Sequence, residues 1–319
     1  MSIQDPDNPA VPAVAPTMIV PPRLRSGDTV AVAAPSGLFD PQALHAGVRL
    51  LESAGLQVVI PEEVYKVDGR FAGSDRQRAD LLMRLATDAR VKAVCCIRGG
   101  YGAMRVLAYL DYEALRRHPK IIVGFSDITA LLTTIDRNCG LVTYHGPLVT
   151  TLAESDSQTR KAFFQALFQP EPLPLLARAG GEIKAGRATA AVLGGNLTTI
   201  NHLLGTPYQP RFDGRILLLE DRAEAPYRLD RMLTQMKLAG CLDNLAGLGL
   251  GSFESCGDEQ RLFEIVERLL GDMGFPILAR LPFGHGKCNL TVPIGQMATI
   301  DTDRRALSFI TAAAGTSRP

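Results

Sequence analysis

The chain has 319 residues, 46% hydrophobic and 21% charged, the composition of a globular protein long enough for two domains. Lys plus Arg number 34 against 33 acidic residues, and no long basic run or aromatic-basic interleaving is present, which argues against a nucleic-acid partner. No apolar stretch approaches the roughly 20 residues that cross a bilayer, so a membrane protein is not expected.

Residues 1–22 are rich in Pro, Ala and Val and carry Asp5 and Asp7 but no early basic residue. They lack the positive start and unbroken apolar core of a secretory signal, and are expected to form a disordered leader. From Asp28, short apolar runs alternate with amphipathic stretches. Thr29 to Ala34 is strand-like, and Asp40-Pro41 then opens a helix with a cap and a first-turn proline. A second strand spans Gln57 to Ile60, and Ser74-Asp75-Arg76-Gln77 is a capping box leading a helix to about Ala86. Val91 to Ile97, Ile121 to Gly124 and Leu141 to Tyr144 continue the alternation, with a helix through Ile128 to Asn138. Cys95-Cys96 lies inside the third of these strands. The six cysteines include no CxxC pair, so they read as thiols of a reducing cytoplasm rather than as disulfides.

Strict alternation predicts an α/β fold with a doubly wound, flavodoxin-like parallel sheet over residues 23–168. After a helix near Gln158 to Phe168, the proline-rich stretch from Gln169 begins a connector over 169–185. A smaller mixed α/β domain is expected over 186–319. It would hold an apolar run Ile216 to Leu219, a helix from Pro226 to about Ala239, and short strands Met297 to Asp301 and Ala306 to Ile310.

In open parallel sheets, functional groups gather at the carboxyl ends of the strands. Three such ends stand out: Ala34-Pro35-Ser36-Gly37, Arg98-Gly99-Gly100-Tyr101-Gly102 and Gly124-Phe125-Ser126-Asp127. Their spacing matches neither a dinucleotide fingerprint nor a Walker loop, so no nucleotide cofactor is expected. Ser126, where a strand turns into a helix, is either half of a Ser-Asp cap or a nucleophile in the field of the helix dipole. A serine nucleophile needs a base within reach, and that base an orienting acceptor. Of the five histidines, His45, His118 and His202 fall in helical patterns or at a helix end. His145, in Tyr144-His145-Gly146-Pro147, and His285, between Gly284 and Gly286, are the candidate bases. Glu220 closes the run Leu217-Leu218-Leu219 as an orienter or a solvated strand end. His285 and Cys288 make a lone HxxC with no second pair, so no metal site is expected.

Seven segments taken together resemble one family. They are Ala33-Ala34-Pro35-Ser36-Gly37, Arg98-Gly99-Gly100-Tyr101-Gly102, Gly124-Phe125-Ser126-Asp127-Ile128-Thr129, Tyr144-His145-Gly146-Pro147, Gly194-Gly195-Asn196-Leu197, Leu219-Glu220-Asp221 and Gly284-His285. In this order they resemble the LD-carboxypeptidases, the S66 serine peptidases, over about Pro22 to Ile310. Ile128 stands where the α/β-hydrolase elbow GxSxG has its last glycine, which sets the chain apart from that fold.

The resemblance implies a Ser-Glu-His triad on Ser126, Glu220 and His285, with an oxyanion hole from the Asp127 N–H and that of Gly99 or Gly100. It implies no cofactor, a cytoplasmic homodimer, and release of terminal D-alanine from murein tetrapeptide during cell-wall recycling. Arg98 and Arg231 are candidates for substrate carboxylates, because a guanidinium fork suits them, with Tyr101 and His145 as further contacts. The family's other branch confers immunity to peptidyl-nucleotide antibiotics of the microcin C type, and stacks the base on an aromatic residue, typically tryptophan. This chain has no tryptophan; Tyr227, Phe212 and Phe253 are the nearest substitutes. A non-catalytic two-domain ligand-binding protein is the alternative of a different class.

Overall fold

Strand order in the first sheet explains where a site must form. The computed structural model describes residues 18–169, 174–311 and 314–315. Five strands, β1 (Thr29–Ala33), β2 (Gln57–Val59), β3 (Val91–Cys96), β4 (Ile121–Gly124) and β5 (Thr143–His145), lie parallel in the order β2-β1-β3-β4-β5. This is the flavodoxin-like winding expected from the alternation, with its switch point between β1 and β3. Strands sandwiched between helices are buried on both faces, so they are continuous apolar runs: all of β4 and most of β1 and β3 are buried. Cys95 and Cys96 are among these core residues. The helix Pro41–Ser53 starts on the Asp40 cap, and Asp75–Thr87 starts on a complete Ser74/Gln77 capping box.

A second sheet contains β6 (Pro174–Leu176), β7 (Glu182–Lys184), β8 (Arg187–Asn196), β9 (Arg215–Arg222), β10 (Gly247–Glu254) and β11 (Ile277–Leu278). After β12 (Val292–Ile294), it is completed by β13 (Met297–Asp301) and β14 (Ala306–Phe309). The order is β6-β14-β13-β8-β9-β10-β11-β7, with β8 to β11 parallel and both flanks antiparallel. β12 leaves this sheet and pairs antiparallel with β5, Val292 opposite His145. The second region thus supplies an edge strand to the first, and this ties the two together.

Two expectations need correction. Residues 1–17 of the expected leader lie outside the described residues, but Met18, Ile19 and Val20 pack on the first core. The Ile19 N–H donates to the Gly140 carbonyl at 2.6 Å, and its carbonyl accepts from Val142 at 2.9 Å. Apolar side chains and backbone pairing outweigh the prolines there. Of the connector, residues 170–173 lie outside the described residues, while the rest carries β6 and β7. Both are edge strands, where a proline such as Pro174 is tolerated. β10 had no counterpart in the sequence reading because its GLGLGSFE segment resembles a loop. Its glycines instead admit close neighbours: a Cβ on Gly249 would sit 2.5 Å from Leu218 Cδ2, and one on Gly251 2.6 Å from the Phe283 carbonyl.

Candidate active site

A cleft of about 730 Å³ lies between the two sheets and is lined from both sides. The first sheet contributes Arg98 to Tyr101 and Phe125 to Asp127; the second contributes Asn196, Asp221 to Glu224 and His285. Ser126 follows β4 with φ of 64°, in the left-handed region. For a residue with a Cβ, that conformation costs roughly 1–3 kcal/mol. Extended Phe125 precedes it, and the 3₁₀ turn Ser126–Ile128 leads into the helix Thr129–Cys139. The hydroxyl caps no helix N–H among the described residues; it faces the cleft. Gly99 passes directly beneath, where a Cβ would come within 3.0 Å of Ser126 Cβ.

Opposite, Glu220 is completely buried near the end of β9. Its Oε2 accepts from His285 Nδ1 at 2.6 Å and from the His285 backbone N–H at 3.2 Å. Its Oε1 has no partner among the described residues. Gly284 makes this fit possible: its φ is 101°, and a Cβ there would meet Glu220 Oε2 at 2.7 Å. The loop is held on both sides of the histidine. The Gly284 N–H donates to Asn289 Oδ1 at 2.9 Å and the Gly286 N–H to Ser252 Oγ at 2.7 Å. The Phe125 ring covers the imidazole, centroids 4.8 Å apart.

The loops after β1, β3 and β4 are locked by two residues the sequence reading did not single out for their side chains. Asp127 Oδ2, buried, accepts from Ser36 Oγ at 2.6 Å and from the Ala103 N–H at 2.7 Å. Buried Arg78 donates to the carbonyls of Pro35, Gly73 and Gly102 and pairs with Asp75. The only local signal for Arg78 was a basic residue at a buried position of its helix. Among the described residues, the N–H groups of Gly99 and Gly100 have no hydrogen-bond acceptor, so they are available to a ligand.

The other candidates divide. Arg98 and Tyr101 line the cleft, with Arg98 also donating to the Leu38 carbonyl. Arg222 lines it too, and the sequence reading missed it. Arg231 lies outside, in an adjoining groove. Cys288, of the HxxC, donates its thiol toward Gln158 Oε1 at 3.7 Å. Of the aromatic substitutes, Phe212 is in the second core, Phe253 is half-buried, and Tyr227 is exposed.

His145 is not a cleft residue. It is 1% exposed, held edge-on between Phe125 and Phe283 with centroids 5.8 and 5.6 Å away. Neither ring nitrogen has a partner among the described residues. Strand β12 covers β5 here, and that long-range pairing is what withdraws His145 from the site. Burial, with a smaller contribution from His285, takes its pKa from 6.5 down to about 3. Between those values the unfolded chain binds a proton that the native protein does not. This contribution to stability is therefore full above pH 6.5 and lost as pH falls toward 3, by up to about 5 kcal/mol. His145→Leu is expected to flatten the fall of melting temperature over that range. Parallel wild-type and variant curves would contradict this.

Comparison with known proteins agrees with the two-domain α/β fold. Residues 30–146 match the model of the LD-carboxypeptidase N-terminal domain and residues 189–300 that of the C-terminal domain. The "Probable murein peptide carboxypeptidase" of Bacillus subtilis is 38% identical over 296 residues, 88% of this chain and 91% of that one. The crystal structure of muramoyltetrapeptide carboxypeptidase from Oxalobacter formigenes is 29% identical, with a TM-score of 0.78 over 88% of this chain and 97% of that chain. An MccF-like protein from Bacillus anthracis, 27% identical, has a TM-score of 0.86 over 92% of this chain and 99% of its own. The chain belongs to the LD-carboxypeptidase family.

Proposed function

We propose that the protein is a serine carboxypeptidase that removes the terminal D-alanine of murein tetrapeptide, with Ser126 as nucleophile, His285 as base and Glu220 as orienter. The observation that carries this reading is that Ser126 and His285 line one cleft while His285 Nδ1 is bound to a buried carboxylate. With Nδ1–H donated to Glu220, Nε2 is left as the acceptor for the serine proton. The hydroxyl attacks the amide carbonyl; His285 takes its proton and passes it to the departing D-alanine amine. Water then enters by the same route and releases the shortened peptide. The N–H groups of Asp127 and of Gly99 or Gly100 receive the oxyanion, and one such donor is worth roughly a hundred- to a thousand-fold in rate.

Ser126 holds a left-handed backbone at the turn from strand to helix, and it lines the cleft. Asp127, through the Ala103 N–H, and Arg78, through the Gly102 carbonyl, hold the end of the glycine loop beneath it. We also assign the enzyme to the cytoplasm as a homodimer, as family resemblance implies. Its six cysteines are free, which suits a reducing compartment.

The substrate assignment is tested by measuring kcat/KM on murein tetrapeptide and on a peptidyl-adenylate analogue. The cleft lining includes no tryptophan, and Tyr227 is not part of it. Stacking a base is worth roughly 1–3 kcal/mol, and the lack of a tryptophan platform in this lining should favour the tetrapeptide by about tenfold or more. A ratio favouring the adenylate would overturn the substrate while leaving the serine chemistry standing.

A further inference from the structure

The cleft continues into a second groove of about 570 Å³, and the two share Thr198, His202 and Glu224 in their walls. The groove runs between two helices, Leu197–Leu203 and Pro226–Leu238. Thr198 and His202, four residues apart, face it from the first. Arg228, Arg231 and Gln235 face it from the second, at the spacing that places residues on one side of a helix.

The charge on this wall is unbalanced. Arg228 meets Glu224 at 3.4 Å, whereas Arg231 makes no ion pair among the described residues; its neighbour Asp230 is taken by Arg268. Both guanidiniums lie over the exposed Tyr227 ring, 5.9 and 5.4 Å from its centroid. Each contact helps to orient its guanidinium before any ligand arrives, both arginines line the groove, and a guanidinium fork recognises carboxylate or phosphate oxygens. An enzyme that removes one small terminal residue needs little room on its leaving side. We infer from this that a groove of this size takes the acyl side of the peptide.

Resting on the peptidase reading above, we propose that this groove is a subsite for an anionic group, carboxylate or phosphate, carried at the amino-terminal end of the peptide substrate. Arg228 and Arg231 hold that group, and the enzyme prefers acidic, amino-terminally extended peptides to neutral ones. The preference is modest, because both arginines are exposed and screened by solvent.

The test uses murein tetrapeptide capped at its amino terminus with an acetyl, a succinyl or a phosphonoacetyl group, following D-alanine release. The anionic caps are expected to give KM values about five- to tenfold below that of the acetyl peptide, with little change in kcat. In Arg228→Gln/Arg231→Gln the KM ratio should fall to about one. A gain from succinyl identifies a carboxylate site, and a gain from phosphonoacetyl alone a phosphate site. Equal KM values for all three caps, or a preference that survives in the double variant, would overturn the proposal. Failure to release D-alanine from any of them would strike the peptidase reading instead. Calorimetric titration of the same three peptides into Ser126→Ala then decides the subsite: tighter binding of an anionic cap supports it, and equal affinities reject it.

Discussion

Ser126→Ala is expected to lose about four orders of magnitude or more in kcat while keeping its fold. Removing the nucleophile of such a triad leaves only the contribution of the oxyanion donors and of substrate binding. The serine hydroxyl caps no helix N–H among the described residues, and alanine keeps the Cβ that already occupies the left-handed backbone. The loss of stability should therefore stay within about 1 kcal/mol, the scale of an exposed cap. Steady-state D-alanine release and a thermal melt read the two effects separately. Retention of more than about a tenth of wild-type activity would remove Ser126 from the role.

His285→Ala should abolish turnover to a similar degree at every pH, and it should also weaken the fold. Glu220 is fully buried, its Oε1 already lacks a partner, and its Oε2 would lose the 2.6 Å bond from Nδ1, keeping only the 3.2 Å backbone donor. Stranding one member of a buried pair costs about 3–5 kcal/mol, an upper figure here because that backbone donor remains. The double variant His285→Ala/Glu220→Gln should recover much of the stability and none of the activity, as a neutral amide is easier to bury than an unpaired carboxylate. Denaturant titration checks the stabilities. If His145→Leu were folded and inactive while His285→Ala kept turnover, the two histidines would exchange roles.

Much of the first sheet could be read from local signals. The Asp40-Pro41 start and the Ser74-Gln77 capping box depend only on residues within one turn. Likewise β4 is a fully buried apolar run whose period needs no tertiary partner. What escaped depends on contacts between distant segments. Strand β12 joins the first sheet because its pairing with β5 closes an edge, a choice that three residues cannot announce. β10 carries glycines for close approach to Leu218 and Phe283, and in sequence that composition reads as loop.

The site shows the same division. Ser126, Glu220 and His285 each stand at a strand end or glycine-flanked loop, positions with a local signature, and they converge on one region. His145 stands at a strand end too, but β12 and two phenylalanines bury it. The Asp127 carboxylate and Arg78 bind loops 24 and 43 residues away in sequence, so their part in shaping the cleft emerges only with the fold. The sequence pointed to Arg231 and passed over Arg222, whereas the end of β9 places Arg222 in the cleft wall and Arg231 lines the adjoining groove.

The most direct measurement incubates the protein with murein tetrapeptide and, separately, with its diastereomer ending in L-alanine. Wild-type protein should release D-alanine in equal amount with the tripeptide, leave the L-alanine peptide intact, and lose the reaction in Ser126→Ala. Absence of D-alanine release by the wild type, or equal release by Ser126→Ala, would contradict the account.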